Sequence, residues 1–315
     1  MRITALAGGI GAARFLRGLR RAVPDAEVTV VANTGDDITL HGLRVCPDLD
    51  TLMYTLGGGI AEERGWGRAD ETFVVREELS AYGVGPAWFG LGDRDVATHL
   101  VRTQMLAAGY RLSQVTAALC RRWRTGVRLL PMSDDRVETH VVVPDGQGRR
   151  AVHFQEWWLR LRAGVPAEAI VPVGAEDAAP APGVLDALAA ADVVLLPPSN
   201  PVVSIGTILA VPGVREAVAA AVGPVVGVSP IVGGAPVRGM ADACLRAIGV
   251  DTDAAAVGRH YGPRAGGGLL DGWLVDVADA EAVVPGVAVR ALPLLMTDVE
   301  AAAAIARAAL ELAGA

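Results

Sequence analysis

Within its first 32 residues the chain sets a glycine run between two apolar runs, and this restricts the fold more than any other feature. Ile3 to Ala7 is short and mostly apolar, Gly8-Gly9-Ile10-Gly11 follows, and Phe15, Leu16 and Leu19 then recur at helical spacing. Val28 to Ala32 is a β-branched run suited to a strand covered on both faces. Strand, glycine turn, helix and strand make a βαβ unit, which predicts a parallel sheet with right-handed crossovers. The rhythm returns later: helix at 185–190, strand at 193–196, helix at 214–222, strand at 225–228, helix at 241–248, a closing strand near 287–292 and a last helix from Asp298. The expected fold is therefore α/β, a doubly wound Rossmann-like parallel sheet in one domain of 315 residues. A mainly helical insertion at about 51–130 and a hairpin at about 137–154 form a subdomain. In the insertion, Asp95 is expected to cap one helix and Ser113 another. The Ala/Pro-rich stretch 174–182 reads as a surface linker.

Charge narrows the chemistry. The chain carries 35 acidic and 28 basic residues, a net charge of −7, and every basic residue is arginine. Without lysine there is no Walker-type phosphate lysine and no Schiff base, so a bound anion must be held by Arg, backbone N–H groups or a metal. The acidic balance argues against nucleic-acid binding. Cys46, Cys120 and Cys244 form no CxxC pair, so neither a disulfide framework nor structural zinc is expected. The uncharged stretches 193–214 and 217–237 are broken by prolines such as Pro201 and Pro230, whereas a membrane span needs about 20 uninterrupted apolar residues. With no leader pattern at the start, a cytoplasmic location away from membranes is expected.

The glycine loop sits where a dinucleotide fingerprint would, but Arg14 replaces the last glycine and Asn33 replaces the acid that would hold an NAD ribose. Those departures favour a phosphate or diphosphate ligand over a dinucleotide oxidoreductase. Three acidic clusters lie in loops: Asn33-Thr34-Gly35-Asp36-Asp37, Pro47-Asp48-Leu49-Asp50-Thr51 and Gly92-Asp93-Arg94-Asp95. In an extended segment Asp48 and Asp50 would point to one side and converge on a cation; alternatively Asp50 caps a helix starting at Thr51 or Leu52. By itself Asp93-Arg94-Asp95 reads more readily as a local ion pair with a cap than as a cation site. With no lysine available, Mg²⁺ is the natural partner for phosphate charge. Ser199-Asn200 and the segment from Ser229 to Arg238 follow two later strands, as ligand cradles or as plain turns. In His153-Phe154-Gln155-Glu156-Trp157-Trp158 the aromatics either stack a flat heterocycle or pack a hairpin edge.

The phrases GGIGAARFLRGL, NTGDD, CPDLDTLMYTLGGGI, FGLGDRD, LLPMSDDRVETHV, HFQEWW, PSNPVVSIG, SPIVGGAPVRGMADAC and LLMTD run in that order along nearly the whole chain. Together they resemble the 2-phospho-L-lactate transferase family of deazaflavin coenzyme F420 biosynthesis, and within it the actinobacterial phosphoenolpyruvate-transferase branch. The resemblance implies transfer from a guanosine diphosphate-linked donor to the deazaflavin 7,8-didemethyl-8-hydroxy-5-deazariboflavin (FO), whose ribityl hydroxyl attacks phosphorus while GMP leaves. It places acceptor contacts on Asp50 and Arg94. Asp48 and Asp50 are the catalytic and Mg²⁺-holding candidates, with base and ligand roles left open between them. Gly8, Gly9, Gly11, Asn33, Ser199, Asn200, Ser229 and Arg238 would hold the nucleotide and its diphosphate. Relatives of this kind are homodimers, which is carried over as an expectation. A sugar-nucleotide-binding regulator without turnover is the rival reading. Asp50→Ala is expected to abolish turnover with the fold intact, and changes at Arg94 to weaken the acceptor more than the nucleotide.

Overall fold

The computed structural model describes every residue except Ala87. In chain order the elements begin β1 (Arg2–Ala7), α1 (Gly9–Ala22), β2 (Glu27–Ala32) and a small hairpin, β3 (Ile38–Leu40) with β4 (Leu43–Val45). Four helices follow: α2 (Pro47–Leu56), α3 (Val74–Ala81), α4 (Asp93–Ala107) and α5 (Leu112–Trp123). Next come β5 (Arg128–Pro131) and three antiparallel strands, β6 (Glu138–Asp145), β7 (Gly148–His153) and β8 (Ala169–Val173). The βα alternation resumes with α6 (Val184–Ala189), β9 (Val193–Leu196), α7 (Thr207–Leu209), α8 (Val214–Ala219) and β10 (Val225–Val228). A two-stranded ribbon, β11 (Ile231–Val232) with β12 (Ala235–Pro236), precedes α9 (Ala241–Ala247) and α10 (Ala254–Tyr261). The chain ends with β13 (Gly272–Val275), β14 (Ala288–Ala291) and α11 (Val299–Leu312).

Seven strands form one sheet in the order β14-β13-β10-β9-β1-β2-β5, every pairing parallel. This is the expected doubly wound Rossmann-like sheet. The chain starts at its centre, winds out through β2 to β5, then returns to the other side of β1 with β9. The strand order therefore reverses between β1 and β9, and in such sheets ligands sit in the crevice at the carboxyl ends of the strands flanking that switch.

The strands are apolar on both faces because both faces are covered. Ala5 and Ala7 of β1 join a cluster with Phe15, Leu16 and Leu19 of α1 and Ile305 and Ala309 of α11. Leu6, one residue out of step, joins Val31, Val194 and the opposite helices through Leu188, Val214 and Val218. The β6–β8 sheet has its own cluster of Val141, Val143, Phe154 and Trp157.

Sequence expectation and structure part at several points. The 174–182 stretch is no free linker: Ala175, Ala178 and Ala181 are buried, and Ala181 donates its N–H to the Met132 carbonyl. Strand β13 and helix α10 are not legible in the pattern, since Gly-Trp-Leu-Val is four fully buried residues with no alternation to read. Helix α4 starts at Asp93, so Asp95 lies inside it and caps nothing. Ser113 likewise lies inside α5, where its N–H and hydroxyl donate to Asp134. Among the described residues no helix is long and apolar enough to cross a membrane.

The α1–α11 contact is tight enough to test. A Cβ on Gly18 would lie 2.4 Å from the backbone carbon of Ala302 and 2.6 Å from its Cβ. Helix propensity favours Ala over Gly by about 1 kcal/mol, but forcing a methyl into a filled contact costs roughly 1–3 kcal/mol. Gly18→Ala is expected to lower the thermal midpoint; an unchanged or raised midpoint would show that α1 and α11 separate freely.

Candidate active site

A cavity of about 960 Å³ opens at the switch point, between the loop after β1 and the loop after β9. Gly8, Gly9, Gly11, Asp48, Asp50, Ser199, Asn200, Ser229 and Arg238 all border it. Asn33 stands behind it, fully buried, with its Nδ2 donating to Asp48 Oδ2 at 2.9 Å. Arg94 does not border the cleft: it is exposed in the first turn of α4, and its N–H donates to Glu71. The arginines that border the cleft among the described residues are Arg14, Arg64 and Arg238.

The glycine loop is held by neighbouring loops. Gly8 N–H donates to Ser199 Oγ at 3.1 Å, and that hydroxyl returns a bond to the Gly8 carbonyl at 2.9 Å. A Cβ at Gly8 would fall 2.5 Å from Asp48 Oδ2, and one at Gly11 would fall 2.4 Å from the Pro198 carbonyl oxygen. The later loops also spend polar groups on themselves. Asn200 Oδ1 accepts from Val202 and Val203 N–H at 2.9 and 3.2 Å, and Ser229 closes a turn onto Ile231.

Asp48 and Asp50 do not lie on an extended segment. Proline suits a first helical position, and α2 begins at Pro47, so both acids sit in its first turn. Residues two apart on a helix diverge by about 200°. Asp48 therefore turns to the glycine loop, accepting from Gly9 N–H at 2.9 Å, while Asp50 turns to α4. There its two oxygens take the guanidinium of Arg102, with Nη1 to Oδ2 at 3.0 Å and Nη2 to Oδ1. The convergence of Asp48 with Asp50 is thus replaced by two separate environments, and Asp50 caps no helix.

The carboxylate that shares Asp48's environment is Asp36, from the Asn33–Asp37 loop. Burial raises the Asp48 carboxyl to about 6 against the bonds from Asn33 and Gly9. Burial first, and then repulsion from Asp48, raise Asp36 well above its ordinary value. Asp36 Oδ2 faces Gln155 Nε2 at 3.4 Å, and its Oδ1 is buried with no partner. Two buried, mutually repelling carboxyl groups with an unsatisfied oxygen fit a hard divalent cation such as Mg²⁺, which takes oxygen ligands. Asp50, Asp95 and His99 also place ligand atoms within 4.8 Å of one another. That cluster fits poorly, because the Arg102 guanidinium already lies on Asp50 and 3.0 Å from His99 Nδ1.

The cleft is also bordered by the aromatic rings of Trp66, Trp88, Phe89, Phe154 and Trp158. Trp157 is a packing residue, fully buried with its Nε1–H on the Val165 carbonyl at 2.8 Å. Sequence reading missed Arg102, His99 and Tyr54. Their signal was a polar stripe, Asp95-His99-Arg102, at helical spacing inside an otherwise amphipathic helix.

A family model described as 2-phospho-L-lactate transferase CofD matches residues 3–292. The chain belongs to this family. It is accordingly an enzyme, a transferase of phosphate-containing groups, which sets aside the regulator reading. The chain is 71% identical to the phosphoenolpyruvate transferase of Streptomyces griseus, covering 99% of this chain and 98% of that one. It is 70% identical to the protein of the same name from Thermobifida fusca at the same coverage, and 59% identical to that of Mycobacterium avium over 100% and 99%. A solved structure of a UPF0052-family protein from Bacillus halodurans superposes with a TM-score of 0.63 at 18% identity, over 98% of each chain, and shares the fold.

Two outcomes follow from the site. Because burial holds the folded Asp48 value near 6, above its ordinary 3.8, its stabilising share is full below 3.8 and lost as pH rises through 6. Mg²⁺ is therefore expected to raise the thermal midpoint well above pH 6 and to do so little below it; a shift independent of pH would remove Asp48 from cation binding. Asp50→Ala leaves Arg102, 2% exposed, as an unpaired buried charge. The fold then does not stay untouched: a loss of about 3–5 kcal/mol is expected in chemical denaturation, and a loss near zero would show that water reaches Arg102.

Proposed function

We propose that this chain transfers an enolpyruvyl phosphate group from a guanosine diphosphate-linked donor to the ribityl hydroxyl of FO in coenzyme F420 biosynthesis, releasing GMP. The observation that carries the reading is one cavity of about 960 Å³ bordered by the glycine loop, by buried carboxylates and by aromatic rings. That volume lies at the large end of small-molecule sites and has room for two substrates. That the Streptomyces griseus and Thermobifida fusca relatives are phosphoenolpyruvate transferases supports enolpyruvyl over lactyl as the transferred group.

In this reading the diphosphate lies at the glycine loop, with Arg14 and Arg238 at hand, and the flat deazaflavin lies among Trp66, Trp88, Phe89 and Trp158. The acceptor oxygen forms a bond to the phosphorus bearing the enolpyruvyl group, the anhydride bond breaks, and GMP departs with the electron pair. The hydroxyl proton passes to one of the carboxylates that border the cleft. Such displacements rest on in-line positioning and charge neutralisation more than on covalent help from the protein. Asp36 and Asp48 would hold Mg²⁺, which when bound offsets the charge of the diphosphate.

The test is turnover of purified protein with FO and the guanosine-linked phosphoenolpyruvate donor, followed as GMP release. GMP release is expected only with both substrates and Mg²⁺ present, and Asp48→Asn is expected to slow it on the order of 100-fold or more. Binding of sugar nucleotides with no turnover, or equal turnover in Asp48→Asn, would contradict the reading.

A further inference from the structure

The proposed function leaves one part of the wall unexplained, where a buried cation is wired to four polar side chains that border the cleft. Asp50, Tyr54, Asp95 and His99 face the cavity, while Arg102 stands behind them and does not border it. Arg102 takes both oxygens of Asp50, and its Nη1 also donates to His99 Nδ1 at 3.0 Å. An Nδ1 that accepts leaves the ring proton on Nε2, which faces Asp95 Oδ1 at 3.5 Å. The Tyr54 hydroxyl donates to that same Asp95 oxygen at 2.6 Å. Arg102 Nη1 also reaches the Arg44 carbonyl at 3.3 Å, so the guanidinium is committed to Asp50, His99 and that carbonyl behind the residues that border the cleft.

A two-bond fork between guanidinium and carboxylate fixes orientation as well as distance. A carboxylate has about four lone-pair sites, so Asp50 retains acceptor capacity after Arg102 has taken two. We infer that Arg102 is a positioning residue that locks Asp50 as a rigid hydrogen-bond acceptor in the cleft wall for the hydroxyls of a polyol chain. This assigns Asp50 to anchoring the acceptor and withholds it from cation ligation and proton uptake. Its ligand, the ribityl chain, rests on the function proposed above.

The experiment has a kinetic and a crystallographic arm. Arg102→Gln, Arg102→Lys, Asp50→Asn and the double variant Asp50→Asn/Arg102→Gln are compared with wild type for KM of acceptor and donor separately. A misaligned anchor costs on the order of 100-fold. Arg102→Gln is therefore expected to raise the acceptor KM by that amount with the donor KM unchanged. Arg102→Lys should restore part of the loss, and the double variant should be no worse than Asp50→Asn alone. Equal loss toward both substrates, or a double variant showing the product of the single losses, overturns the inference. The crystal structure of Arg102→Gln is expected to show the Asp50 carboxylate turned from its wild-type orientation; an unchanged orientation overturns the inference whatever the acceptor proves to be. If Arg102→Gln does not fold, Arg102→Lys carries both arms. A wild-type enzyme that ignores FO refutes the function proposed above, and the crystallographic arm still decides the role of Arg102.

Discussion

Asp48 is the clasp on which the site depends. Through its bonds to Gly9 N–H and Asn33 Nδ2, it ties the first turn of α2 to the loops leaving β1 and β2. The clasp requires glycine at position 8, where any side chain would meet Asp48 and Ser204 at 2.5–2.7 Å. It also places a buried carboxylate beside a helix N-terminus and a second carboxylate, Asp36, so that the unliganded site carries a repulsion that a cation would relieve. The geometry that makes the cleft and the charge that makes it reactive come from the same two hydrogen bonds.

From this clasp the two acids of α2 divide the work. The helix sends Asp48 to the glycine loop and Asp50 to α4, where Arg102 receives it. Asp48 is pushed upward by burial, whereas Asp50 faces a guanidinium and is locked. The stripe continues to Asp95, where burial opposes ionisation but bonds from His99 and Tyr54 and the charge of Arg102 hold the carboxyl below its ordinary value. Tyr54, raised well above its ordinary value by burial and by Asp50 and Asp95, stays a neutral donor. A lysine-free chain thus obtains differentiated charges from arginine and aspartate alone.

The β1–α1–β2 opening and the later strands after 193 were legible because short apolar runs separated by glycine or proline leave few other choices. The parallel sheet followed from chain-crossing rules. Strand β13 was not legible, since a four-residue strand buried on every side has no periodicity. The acidic loops were legible as a site, but the pairing within them was not. Asp48 and Asp50 are two apart in sequence and belong to different environments, and only knowing that α2 starts at Pro47 separates them. Asp36 reaches the cleft through a loop whose path no local pattern specifies. Arg94 came from its motif alone, and its exposed place in the first turn of α4 was not legible from it.

We assign the charge-bearing part of the group-transfer site to Asp36 and Asp48 and not to Asp50. A crystal structure of the protein grown with GDP and Mn²⁺, with the ion located by anomalous scattering, tests this most directly. The expected result is a metal peak on Asp36 and Asp48 with the diphosphate beside the glycine loop. A peak bound by Asp50, Asp95 and His99, with Arg102 displaced, would contradict it.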